Sequence, residues 1–122
     1  MLFKQTLIAL SAFAVVASVT PAFAGDADFT LSNRTGFPIR EVYIAPSKSS
    51  NWGNDRLGDG VLANGRQKLF KFSDKASCKQ DVQVVFDDDG SEVVWENFDL
   101  CEINKVTLKY SRATKKVSAD TE

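Results

Sequence analysis

Carboxylates are the first residues in this chain with a chemistry to offer. Asp55 and Asp59 stand four apart in a glycine-rich stretch, and Asp87, Asp88 and Asp89 run together just before Gly90. Oxygen donors grouped this way suit calcium, a hard cation that extracellular modules bind weakly through carboxylates and carbonyls. Neither stretch has EF-hand spacing, with aspartates at alternate positions, a glycine at the sixth and a glutamate at the twelfth. The run at 87–89 also reads as a solvated turn. These five aspartates are calcium candidates, and no cofactor is expected.

Catalysis is harder to assemble. The chain contains no histidine, which removes the commonest general base, the commonest zinc ligand and every Ser-His or Cys-His nucleophile. Asp55 with Glu96 or Asp99 would make a carboxylate pair, but no spacing demands it. Ser47, Ser49 and Ser50 have only Lys48 nearby as a base. No catalytic residue is assigned, and the chain is not expected to be an enzyme.

The residues with binding chemistry lie in or beside the stretch from Pro46 to Gly65, the longest without clean periodicity. A loop of this length in a small domain is functional or internally packed. In one reading Trp52, Leu57 and Leu62 fold back as plugs over the open end of a sandwich, glycines supply the turns, and Asp55 binds backbone N–H groups. In the other, Tyr43 and Trp52 form an exposed aromatic platform for a glycan or a partner. Tyr43, Trp52, Asp55 and Asp59 are thus the candidate binding residues.

Strand-like runs must position them. Phe29 and Leu31 alternate with polar neighbours, the period-2 pattern of a half-buried strand. Asn33-Arg34-Thr35-Gly36 then forms a turn, and Asn33 is read as a turn residue despite matching a glycosylation sequon. In 39–45, Val42 and Ile44 share one face, Glu41 and Tyr43 the other. Phe70 and Phe72 share a face in 69–72, and Val106, Leu108 and Tyr110 alternate in the last run. Lys68, Lys71, Lys75 and Lys79 read as a solvated edge that discourages strand-to-strand aggregation. The polar stretch 111–122 lacks periodicity and is expected to fray.

Asp89-Gly90 is a two-residue hairpin signal, because a type I′ turn needs positive φ at both central residues. That turn would pair Val84 with Trp95 and Phe86 with Val93 on one apolar face. It would set Cys78 opposite Cys101.

The first 24 residues read as a cleavable secretory leader: Lys4, an uncharged run over 7–19, then Ala22-Phe23-Ala24. The run is short for a membrane span, and no later segment is long and apolar enough for one. Removing 24 of the 122 residues leaves 98, enough for one small domain (25–110) and a polar tail (111–122). Lys4 is the one basic residue of the leader, so 14 basic residues face 16 acidic, a net of −2. That balance offers no electrostatic footprint for nucleic acid. In an exported chain, two cysteines read as one disulfide, with two buried thiols as the alternative. A bridge closing so short a loop contributes roughly 3 kcal/mol.

Six strand-like runs with close turns predict an all-β fold, a small antiparallel β-sandwich of immunoglobulin-like size, with a small barrel as the alternative. Trp95 beside a disulfide is like an immunoglobulin core, but both cysteines flank one hairpin, so that topology is not assigned.

Asn33-Arg34-Thr35-Gly36, Tyr43-Ile44-Ala45-Pro46-Ser47, the Trp-Gly-x-Asp-x-Leu-Gly core at 52–58, and Cys78 through Cys101 together resemble a family of small exported proteins of Alphaproteobacteria. The resemblance covers nearly all of 25–122. It implies a periplasmic or secreted protein and carries no ligand or catalytic residue with it. Some similar proteins bear the name argininosuccinate lyase. The true lyase resembles a large, mainly helical, tetrameric cytoplasmic enzyme, from which this chain departs in length, pattern and compartment. The expected function is a non-catalytic module that binds a protein or envelope component. A calcium or small-ligand module and an inhibitor of an envelope-directed hydrolase are the alternatives.

Overall fold

The computed structural model describes residues 27–122; the expected leader lies outside them. The chain forms seven strands: β1 (Phe29–Asn33), β2 (Ile39–Pro46), β3 (Gln67–Phe70), β4 (Lys79–Phe86), β5 (Glu92–Asp99), β6 (Lys105–Ser111) and β7 (Lys116–Thr121). They make two sheets, ordered β3-β1-β6-β7 and β2-β4-β5. The result is a small β-sandwich with no closed barrel.

Alternating residues from both sheets fill the space between them. Phe29 and Leu31 come from β1, and Val106 and Leu108 from β6. Val42 and Ile44 of β2, Val82, Val84 and Phe86 of β4, and Trp95 of β5 meet them from the other sheet. Polar partners alternate outward, as period-2 geometry requires. The shared face of Phe70 and Phe72 holds: their rings lie 5.9 and 6.1 Å from that of Phe29. Asn33 is fully buried. Its Nδ2 donates to the carbonyls of Phe37 (2.8 Å) and Leu62 (2.9 Å), and its Oδ1 accepts from the Thr35 N–H (3.0 Å). The turn residue is thus a buried organiser that ties the β1–β2 connection to Leu62.

Three expectations need correction. Not every pair is antiparallel: β1 and β6 run parallel, Leu31 against Val106, because the chain crosses through the other sheet between them. The β4–β5 register is also shifted. Val84 faces Val93 and Val82 faces Trp95, since the turn spans Asp87–Gly90 and Phe86 bonds Ser91. A type I′ turn needs two successive positive φ values, and here Gly90 has one (72°) while Asp89 does not. Asp89 instead accepts from the Ser91 N–H (2.9 Å) and Oγ (2.7 Å). Between the turn and the bulge a slip of two residues leaves the side chains on their expected faces, so that apolar face survives; past the bulge Gln80 pairs with Phe98, a slip of one.

The third correction concerns 111–122, which does not fray but forms the edge strand β7 against β6 over Lys116–Thr121. Backbone bonds hold it: the N–H groups of Asn104 and Lys105 donate to the Glu122 carbonyl at 2.6 and 3.1 Å. Trp95 Nε1–H donates to the Ser118 carbonyl at 2.8 Å and ties β5 to β7.

Candidate binding site

The long loop leaves β2 at Pro46 and is built from short polar turns. The Ser47 N–H donates to the Lys79 carbonyl (3.0 Å) and that of Ser49 to the Pro46 carbonyl (3.0 Å). The Asn51 N–H donates to Ser49 Oγ (3.1 Å), and Asn51 Oδ1 accepts from the Gly53 N–H (2.9 Å). These self-bonding Ser and Asn side chains are what makes the segment a loop.

The loop then returns to β2. Asp55 Oδ1 accepts the N–H groups of Val42 (3.0 Å) and Leu57 (2.9 Å), and the Arg56 N–H donates to the Val42 carbonyl (2.7 Å). The carboxylate therefore stands in for a neighbouring strand and covers the β2 edge. Leu62 is buried and bridges Ile39, and Leu57 packs against the core. Those two residues and Asp55 fulfil the packed-loop reading. Asp59 is exposed in the turn where the Gly60 N–H donates to the Leu57 carbonyl (3.2 Å).

Trp52 behaves differently. It is half-buried, lies outside the core cluster, and lines two adjacent cavities of about 410 and 490 Å³. Asn51, Asn54 and Arg56 border the first, over Ile44 and Pro46. Ser47, Lys48, Asp81, Glu96 and Asn97 border the second. Tyr43 lines neither. It lies on the outer face of β2, where its hydroxyl donates to Glu41 Oε1. That bond, which favours the neutral phenol, pushes the Tyr43 pKa up to about 12 and holds Glu41 below the ordinary carboxylate range. The structure therefore separates the two aromatics expected to share a platform.

Sequence reasoning missed Asp81. Its Oδ1 accepts the Ser47 hydroxyl (2.7 Å) and the Asn97 N–H (2.9 Å). Asn97 (φ 64°) is the extra residue of a β-bulge where the β4–β5 register shifts, and Lys48 (φ 72°) lies on the facing loop. A carboxylate on an outward strand face gives no periodic signal; only the bulge aims it at the loop.

The aspartates at 87–89 do not converge. Asp88 receives a two-pronged contact from Arg112, at 2.8 and 2.7 Å, and Arg112 lies 3.5 Å over the Phe37 ring. The hydrogen bond to Arg112 holds the Asp88 carboxyl below its ordinary range. Among the described residues, the three potential metal ligands that do converge are Cys78, Asp99 and Cys101. The two cysteines are joined as a disulfide (Cα–Cα 5.1 Å), as expected, and offer no thiolate. No helix of the described residues is long and apolar enough to cross a membrane. No protein-family model, curated protein or solved structure matches the chain.

Proposed function

We propose that this chain is an exported, non-catalytic binding module of the bacterial envelope, periplasmic or secreted once a leader is cleaved near Ala24, with its site centred on Trp52. One observation carries the reading. A large aromatic side chain is held half-exposed between two concavities by a loop that the rest of the fold braces. Burying an indole is favourable, and Leu57 and Leu62 of the same loop do pack inward. A tryptophan left at a cavity mouth is instead available to a ligand or partner. The disulfide fits an oxidising compartment, and the resemblance to small exported proteins supports the envelope as the setting.

The test is capture from envelope extract by the tagged protein, comparing wild type with Trp52→Ala of matched circular dichroism. A stoichiometric partner or envelope component retained by the wild type and lost by the variant is expected. If nothing is retained by either, or both retain the same material, the reading fails.

A further inference from the structure

We infer that the two cavities flanking Trp52 form one groove for a neutral saccharide chain. The inference rests on the binding-module reading above and names its ligand class.

The wall chemistry selects the ligand. Apart from the indole, the second cavity presents hydroxyl, amide, carboxylate and ammonium groups and no aliphatic side chain. A protein partner would find no apolar pocket for a hot-spot anchor there; the first cavity sets Asn51, Asn54 and Arg56 around a floor of Ile44, Ala45 and Pro46. In the second cavity the two carboxylates of Asp81 and Glu96 outnumber the Lys48 ammonium, which disfavours an anionic ligand there. A quaternary ammonium ligand favours a cage of aromatic rings, whereas one ring and Lys48 are present. A sugar satisfies all of these groups. Its C–H face covers the indole, and its hydroxyls both donate to carboxylate and amide oxygens and accept from amide and ammonium N–H groups. Because Trp52 borders both cavities, a ligand seated on it extends into each, so more than one ring is required.

The backbone supports a built site. Three non-glycine residues among those described have positive φ, and two of them, Lys48 and Asn97, border this cavity. Such conformations persist where surrounding structure enforces them, and they cluster at ligand clamps. Asp81 enforces them here by binding Ser47 on one side and Asn97 on the other. The groove is thereby ordered before the ligand arrives, which lowers the entropy cost of binding.

The experiment is a glycan array followed by calorimetry on protein expressed with its own leader, with neutral N-acetylglucosamine oligomers and neutral exopolysaccharide as separate arms that identify the source. Saturable binding to one glycan class is expected. It should weaken by about tenfold or more in Trp52→Ala and in Glu96→Gln, survive largely in Trp52→Tyr, and stay unchanged in Lys68→Ala on β3. If no glycan binds while a protein or a quaternary ammonium compound is captured through Trp52, the saccharide inference is overturned and the binding module stands. If nothing depends on Trp52, both fall.

Discussion

The Oδ1 atom of Asp81 on β4 accepts the backbone N–H of Asn97 on β5 at 2.9 Å, and the same atom accepts the Ser47 hydroxyl at 2.7 Å. One carboxylate oxygen thus joins a bulge to the start of the long loop. Asp81→Ala should cost about 2 kcal/mol, the loss of hydrogen bonds to a charged group, read as a lower urea midpoint. Asn97→Gly should be close to neutral, because glycine takes the left-handed backbone without a Cβ clash. Equal destabilisation by both variants would contradict this account.

The Cys78–Cys101 bridge spans 23 residues of chain. Reduction, or the double change to serine, should lower stability by about 3 kcal/mol, chiefly through the entropy returned to the unfolded chain. Urea midpoints with and without reductant measure it. Coincident midpoints would remove the disulfide from any role in stability.

Arg112 and Asp88 make a pH-dependent contribution whose sign follows from the carboxyl. Its folded pKa is depressed by the guanidinium, whereas the unfolded value is about 3.9. The stabilisation is therefore present above about pH 4 and disappears as pH falls through the lower folded value. A double-mutant cycle of Arg112→Ala with Asp88→Asn should show coupling at neutral pH and none in strong acid. Arg112→Lys should restore little of it, since lysine lacks the planar fork. Coupling that persists in strong acid would refute the ion pair as its source.

Tyr43 is one of two tyrosines, and its phenol is shifted to about 12 by donating to Glu41, against an ordinary value of about 10. The pair's favourable contribution is present below the unfolded value and is lost as pH rises through about 12. Absorbance titration near the phenolate band should show a late phase that vanishes in Tyr43→Phe. Glu41→Gln should move that phase back towards the ordinary value; an unmoved phase would mean that burial sets the shift.

Much of the architecture was legible. The alternation of Val42 with Tyr43 and of Val84 with Gln83 assigns faces correctly, because only burial separates the two sides of a strand. The disulfide was legible for a related reason: Cys78 and Cys101 bound the open end of a hairpin, where the bulge brings the pairing back to within one residue of the expected register, Lys79 against Asp99. The strand at Lys116–Thr121 was not. It has little apolar surface to register in a pattern, and it is held by backbone bonds and by the Trp95 indole.

The sequence by itself determined the class of this protein: an all-β core with one hairpin-closing disulfide and a long aromatic-bearing loop. These follow from local periodicity and from turn and cysteine chemistry. Tertiary structure alone decided the site. It turned Asp55 from a metal candidate into an edge cover and brought Asp81 and Asn97 to Trp52. Those outcomes depend on a bulge between β4 and β5 and on a loop's return path to β2. Each is a long-range closure, and no periodic pattern of side chains records it.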